Sequence, residues 1–387
     1  MKVLHFTRRF SPTSETFVYD FITELEKQEA DNHVATLQRF NESSRSFPKV
    51  TEVDIPSRWS PRRLWHFGRH LVAKDYGTGR ARGTSAWPQI RDRLEGLVTR
   101  VQPNIIHAHF GPAGVLISAV AETSKIPLVT TFYGYDISSL PEVEFWQKQY
   151  AALWSRSDVI TVLSEEMQET ALRLGCPDDK LTIVRLSRNL KHFSFRPPSS
   201  PVSSVVFVGR LVPKKAPLDA VQAVQRVNEQ GTDLVLDMVG DGPLQDRVHR
   251  YIRENNLLEK ITLHGRLPNA DVADRMRSAD AFLLPSKTGP DGDCEGTPTV
   301  LVEAQATGLP CIATHHAGIP EMIPEAQHNL LVPEGDVSLL ADALRTVASY
   351  PVHRLRKIAK RGREKVENEF SLSNEAENLR KIYRSCV

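Results

Sequence analysis

Cysteine is scarce in this chain. Among 387 residues there are four, Cys176, Cys294, Cys311 and Cys386, and none forms a CxxC pair. That excludes a disulfide framework of the kind that staples small secreted folds, and it leaves no signature of a structural zinc site. A reducing compartment, the cytoplasm, is expected. Long apolar runs are missing too. A bilayer-spanning helix needs roughly 18 apolar residues in succession, and the stretch from Ala113 to Ala121 is about half that. Neither charge sign dominates: 49 Lys and Arg stand against 47 Asp and Glu, a formal net charge of +2. So small an excess gives no reason to expect a nucleic-acid partner. The N-terminal MKVLHFTRRF is apolar too briefly before Arg8 and Arg9 for a signal peptide, and it reads as a first strand. The GxGxxG fingerprint of nicotinamide dehydrogenases is absent as well. Gly240-Asp241-Gly242 follows a strand, but Gln245 stands where the third glycine would be.

What is present is a regular alternation of short apolar strands and helical patterns. With 40% apolar and 25% charged residues, a chain of this length suits two ordinary cores. In the first half, Val3–Phe6, Val34–Leu37, Ile105–His107, Leu128–Thr131 and Val159–Leu163 read as strands. A helix with Phe17, Phe21, Ile22 and Leu25 on one face lies between the first two. Residues 194–204, SFRPPSSPVSS, read as a linker by composition. The series then resumes with strands Val205–Val208, Leu234–Val239, Ile261–Leu263, Ala281–Leu284 and Cys311–Thr314, and with a helix over Pro217–Val227. The fold class is α/β: two doubly wound, Rossmann-like parallel-sheet domains, 1–193 and 205–370. A helix over 371–387 is expected to return to the first domain. Open α/β sheets bind ligands outside their carboxyl edges, so an interdomain cleft is expected.

Two stretches of the second half carry the chemistry. The richest runs from Pro285 to Glu321. There a strand leads into the loop KTGPDGDCEGT, and a helix opens at Pro298 and stops at Gly308. Glu295 precedes that helix and Glu303 lies within it, with seven residues between them. Two acids so placed can accept hydrogen bonds from sugar and ribose hydroxyls, and helix-start amides beside them favour anions. The competing reading is a solvated acidic loop plus a glutamate favoured by the helix dipole. In VVFVGRLVPKK, Gly209 ends a strand and Arg210, Lys214 and Lys215 follow before a helix. Three cations there suit a diphosphate, or else form a solvated basic loop. Asp291-Gly292-Asp293 looks like a metal-binding DxD but reads better as a turn. In the first half, NIIHAHFGPAG and LVTTFYGYD place His107, His109, Tyr133 and Asp136 just after strands. Any one of those histidines could equally satisfy a structural hydrogen bond.

Taken together these stretches resemble the retaining glycosyltransferases of the GT-B fold, family four, in the branch that builds bacterial exopolysaccharide such as colanic acid. The likeness rests on EGTPTVLVE, with VFVGRLVPKK upstream and GLPCIATHHAGIPEMI downstream. HAHFGPAG, TFYGYD and SETFVYDFITEL match first-domain motifs of the same branch. The resemblance implies that Glu295 lies by the donor sugar with the backbone of Gly296 and Thr297, and that Glu303 binds the ribose. It implies that Arg210 and Lys215, beside Gly209, hold the diphosphate and that Arg266 sits near the base. Tyr133, His109, Asp136 and Ser14 fall on the acceptor or sugar side. The implied reaction retains anomeric configuration and uses neither cofactor nor metal, the two cations neutralising the diphosphate. The implied acceptor is a saccharide on a polyprenyl diphosphate at the inner membrane face.

Residues 58–82 hold seven Lys or Arg, one acid, and Trp59, Trp65, Phe67 and Tyr76. That composition suits an anionic membrane surface, or a helix whose aromatics are core. Three features depart from the family's pattern. Tyr133 stands where a histidine is usual, and tyrosine is a poor proton carrier near neutral pH. Ser11-Pro12-Thr13-Ser14 replaces a glycine-rich loop. RLSRNLKHF replaces an NGVD-like turn. Two other readings remain open: a sugar-nucleotide epimerase of the same architecture, and a nucleotide-sugar-binding protein with weak turnover.

Overall fold

The computed structural model describes residues 1–12, 15–54 and 86–387. The chain divides into two compact units, Met1–Val184 with Ser373–Val387, and Arg185–Leu372.

The first unit is built on a parallel sheet. Its described strands are β1 (Lys2–Thr7), β2 (Asp31–Thr36), β3 (Val50–Glu52), β4 (Ile105–His109), β5 (Leu128–Thr131), β6 (Val159–Val162) and β7 (Leu181–Ile183). They lie in the order β3-β2-β1-β4-β5-β6-β7. Both faces of such a sheet are covered, so its inner strands are buried residue after residue, as in β4 and β5. Helix α1 (Thr16–Lys27) buries Val18, Phe21, Ile22 and Leu25; the last three belong to the expected amphipathic stripe, while Phe17 is only half-buried and Val18 takes the inner place. Helices α2 (Trp87–Val101), α3 (Gly111–Ser124), α4 (Glu144–Arg156) and α5 (Glu165–Arg173) follow. The order turns at β1, where β4 crosses to its other side. The loops leaving β1 and β4 therefore flank a topological switch point, where ligands of open α/β sheets bind.

The second unit repeats the plan. Its strands β8 (Ser204–Val208), β9 (Val235–Val239), β10 (Ile261–Gly265), β11 (Ala281–Leu284), β12 (Cys311–Thr314) and β13 (Leu331–Val332) are parallel, in the order β10-β9-β8-β11-β12-β13. Alternating side chains of β8 feed two cores. Val205 and Phe207 join one with helices α6 (Pro217–Glu229), α7 (Gln245–Glu254) and α11 (Val337–Ala348). Val206 joins the other with α9 (Thr299–Thr307), α10 (Ile319–Met322) and α12 (Val352–Glu369). Helix α8 (Asn269–Ser278) lies between β10 and β11 in sequence. The switch point falls between β8 and β11.

Some boundaries differ from the sequence reading. The first unit ends at Val184, not at 193, and the segment read as a linker is packed on the second unit. The Ser203 and Ser204 amides donate to the Asp280 carboxylate at 3.0 Å each. The Arg196 amide donates to the Thr307 carbonyl at 2.8 Å. Proline and serine signal the absence of a helix or strand, not the absence of contacts. Helix α13 (Leu372–Cys386) belongs, from Ser373 on, to the first unit. Strands β3, β7 and β13 are two or three residues long, too short to show a period. The β2 strand starts at Asp31 rather than Val34 because Asn32, although polar, is buried in the sheet.

Candidate active site

In the second unit, Lys215 and Glu295 meet at the switch point. The lysine comes from the turn Pro213–Lys215 after β8, and the glutamate from the loop between β11 and α9. Lys215 Nζ lies 2.7 Å from Glu295 Oε1, with side chains 12% and 7% exposed. The Ser286 hydroxyl donates to the same oxygen at 3.2 Å. Burial works to raise the Glu295 pKa, but Lys215 and Lys214 outweigh it and hold the carboxyl below its ordinary value. Neighbouring Lys214 bonds Asp293 Oδ1 and the Cys294 carbonyl, both at 2.9 Å. Asp291-Gly292-Asp293 is a turn: the Gly289 amide donates to the Asp293 carbonyl at 2.9 Å, and Gly292 has φ 71°.

A second layer holds Glu295 in place. Its amide donates to His316 Nε2 at 3.2 Å, so His316 carries its proton on Nδ1 and donates to Glu334 Oε2 at 2.7 Å. Glu334 also accepts the Thr288 amide at 2.9 Å. Sequence reasoning quoted His316 only as part of a motif and missed Glu334 altogether.

Glu303, one face of α9 onward, is paired with Arg188: Nε to Oε1 is 2.7 Å. Arg188 lies in the segment RLSRNLKHF that departs from the family turn. The segment is anchored to the end of α12, since the Arg188 amide donates to the Phe370 carbonyl at 3.2 Å. Gly296 and Thr297 are buried at the start of α9, which ends at Gly308 with φ 100°. Arg210 and Arg266 are exposed, the first after β8 and the second after the edge strand β10. Among the described residues, no carboxylate pairs with the Arg210 side chain. The structure thus joins Lys215 to Glu295, while Glu303 has its own cation.

The β8 loop is stapled to the β9 loop. The Gly209 amide donates to the Val239 carbonyl at 3.0 Å, and the Leu211 amide to the Asp241 carbonyl at 2.7 Å. Gly240 sits in this contact with φ 137°, and a Cβ there would lie 1.9 Å from the Gly209 carbonyl oxygen. Both the backbone angle and the space demand glycine. Gly240→Ala is expected to cost about 2–3 kcal/mol by strain at a special backbone position. Urea unfolding of the variant checks this, with a wild-type midpoint as the contrary result.

In the first unit, a cavity of about 330 Å³ opens by the ends of β1, β2 and β4, lined by residues including Arg8, Arg9, Glu15, Gln38, His109 and Tyr135. A volume of that size suits a small ligand. Arg8, Arg9 and Glu15 were not singled out from sequence. Asp136 does not face this cavity. It is fully buried and accepts the amides of Gly111, Tyr133 and Gly134, each at 2.9 Å. Burial pushes its carboxyl up to about 6, against the pull of those amides. Asp136 therefore ties the β5 exit to the start of α3. Ser14 and residues 58–82 lie outside the described residues.

Below Tyr133 three histidines gather. His5 on β1 pairs in register with His107 on β4, and His109 lies two residues further along the same face. One ring nitrogen of each falls within 4.8 Å of the others, a spacing that could hold a metal ion. All six ring nitrogens, however, have a hydrogen-bond partner: Asn32, Tyr383, Thr131, Tyr133 and, between His5 and His109, each other. Burial pushes the His5 pKa down to about 4, and those of His107 and His109 well below the usual histidine range.

Two Rossmann-like parallel-sheet units in succession are the architecture of the GT-B glycosyltransferases. Residues 193–365 match the model for glycosyl transferases group 1, and residues 14–187 that for glycosyltransferase family 4. The putative colanic acid biosynthesis glycosyltransferase WcaL of Escherichia coli K12 is 30% identical over 392 aligned residues, 96% of each chain. The chain belongs to this family and is a GT-B-type glycosyltransferase of exopolysaccharide biosynthesis. The Escherichia coli UDP-Gal:α-D-GlcNAc-diphosphoundecaprenol α-1,3-galactosyltransferase is 26% identical over 314 residues, 76% of this chain and 78% of its own. Anabaena HepE in complex with UDP matches with a TM-score of 0.78 over the full length of both chains, at 17% identity, a likeness of fold. No helix among the described residues is long and apolar enough to cross a membrane.

Proposed function

We propose that this chain transfers a hexose-type sugar from a UDP- or GDP-sugar to a hydroxyl of a growing, lipid-linked exopolysaccharide, with retention and without a metal. The observation that carries the reading is the buried Lys215–Glu295 pair at the switch point of the second unit. An ammonium there, with Arg210 exposed on the same loop, suits a diphosphate whose negative charge grows as the bond to the sugar breaks. Ionised Glu295 accepts hydrogen bonds from sugar hydroxyls, and Glu303 from the ribose. The acceptor oxygen forms the new bond to the anomeric carbon as the bond to the diphosphate oxygen breaks. The acceptor's proton passes to a donor phosphate oxygen, and the nucleoside diphosphate departs. Lys215 and Arg210 supply the charge that a divalent ion supplies in other transferases. The UDP bound by the HepE neighbour and the diphosphoundecaprenol acceptor of the galactosyltransferase relative support the choice of substrates. A lipid-linked acceptor implies a peripheral position on the inner membrane face.

A thermal-shift panel of UDP, GDP and their sugars tests this. A ligand at 100 times its Kd stabilises by about 2.7 kcal/mol, so the matching donor is expected to raise the melting temperature by several degrees. No shift with any of them contradicts the proposal.

A further inference from the structure

The buried histidines form a hydrogen-bond chain whose direction the structure fixes. Asn32 Nδ2 faces acceptors alone: Glu26 Oε2 at 2.9 Å, the Ala30 carbonyl at 3.2 Å and the Ile22 carbonyl at 3.5 Å. Flipping the amide would put an oxygen against those oxygens, so Asn32 Oδ1 is the atom 3.1 Å from His5 Nε2. His5 Nε2 therefore carries the proton. A neutral ring has one N–H, which leaves Nδ1 as a lone pair, 3.1 Å from His109 Nε2. His109 donates across that contact, so its own Nδ1 is a lone pair as well. It accepts the Tyr133 hydroxyl at 2.7 Å. Depth keeps the rings neutral: His5 and His109 are 0% and 2% exposed. The chain ends on a tyrosine ring packed between Phe17 and Phe110, with centroids 4.8 and 4.6 Å away. His109 itself lines the cavity of the first unit.

We infer that Asn32, His5 and His109 are positioning residues that commit the single proton of Tyr133 inward to His109, so that toward any other group, Thr131 included, the phenol oxygen can only accept. Tyr133 is then an acceptor and not an acid, and the histidine usual at its place in the family is replaced here by a group of fixed polarity. The spacing of the three rings also admits a metal ion, but every nitrogen is already used, so the hydrogen-bonded chain accounts for more of the geometry.

The inference concerns the first unit and rests on the proposed function only for the reaction it would serve; its test needs no turnover, so failure of one is separable from failure of the other. The full-length protein, 15N-labelled at histidine, is studied by two-bond 1H–15N spectra from pH 6 to 8. The His5 and His109 signals are assigned with His5→Gln and His109→Gln. Both rings are expected to be neutral with the proton on Nε2. Should those variants not fold, Tyr133→Phe makes the assignment, since loss of the hydroxyl moves the His109 Nδ1 signal and leaves His5 in place. A His109 proton on Nδ1, a ring titrating near 6.5, or a Tyr133→Phe spectrum identical to wild type overturns the inference. So does one zinc or nickel ion per purified chain by elemental analysis. His5→Leu removes the acceptor of His109 Nε2–H and should bring in the Nδ1–H form. His5→Gln offers a carboxamide oxygen and should restore the Nε2–H form. A merely structural His5 would give the same His109 signals in both variants.

Discussion

Lys215→Met will lower sugar transfer by about a hundredfold to a thousandfold, the usual cost of removing one group that stabilises transition-state charge. The methionine keeps an apolar stem where the lysine's Cδ now passes 3.5 Å from the site of a Gly209 Cβ. What disappears is the charge. Glu295 then stands buried without its partner, and breaking such a pair from one side costs about 3–5 kcal/mol. The lower end is expected because Ser286 still donates to the carboxylate and Lys214 is close by. Transfer and stability must therefore be separated. Lys215→Met combined with Glu295→Gln removes both charges, and it should recover most of the stability while transfer stays low. Urea unfolding and initial rates on the same samples read the two effects. A single variant that folds and turns over like wild type would show that Lys215 does not act on the donor.

Acid will destabilise the first unit steeply. His5, His107 and His109 have folded pKa values below the unfolded value of about 6.5, and His5 titrates near 4. A depressed histidine pKa gives stability that is complete above the unfolded value and lost as pH falls toward the folded one. For His5 alone the shift from 6.5 to about 4 corresponds to about 3 kcal/mol. Asp136 acts in the opposite sense. Its carboxyl, raised from 3.8 to about 6, contributes stability that is present at low pH and lost as pH rises through 6. As pH falls below 6.5 the unfolded chain protonates these three histidines more readily than the folded chain does, and the single carboxyl opposes them only in part. Stability should therefore fall as pH drops from 6.5 toward 5. Urea unfolding at pH 7, 6, 5.5 and 5 measures the slope. A His5→Phe variant should show a shallower one, and a flat profile in the wild type would mean that the three rings are not buried and neutral.

Local chemistry was the legible part of this chain. The helix after Glu295 was readable from Pro298 and Gly308 because caps act within one turn. Strands Leu128–Thr131, Ala281–Leu284 and Cys311–Thr314 match their expected ends because a buried parallel strand is one unbroken apolar run. What escaped was set by register between distant segments. His5 finds His107 only because β4 crosses over to pair with β1. Asn32 reads as loop in a polar Asp31-Asn32-His33 stretch, yet it lies opposite Val3 inside the sheet. Arg188 could not be matched to Glu303 from sequence. Its segment carries no strand or helix period, and its partner is set by the fold of the second unit. His316 and Glu334 were missed for a related reason, since they act on Glu295 through its backbone amide.

Calorimetric titration of UDP and of GDP into wild type and into the Arg210→Ala/Lys215→Ala variant bears most directly on how the second unit meets its donor. With the nucleotide that binds the wild type, the account predicts that the diphosphate outbinds its own nucleoside at least a hundredfold (about 2.7 kcal/mol), and that this advantage vanishes in the variant. An unchanged diphosphate affinity in a folded variant would contradict it.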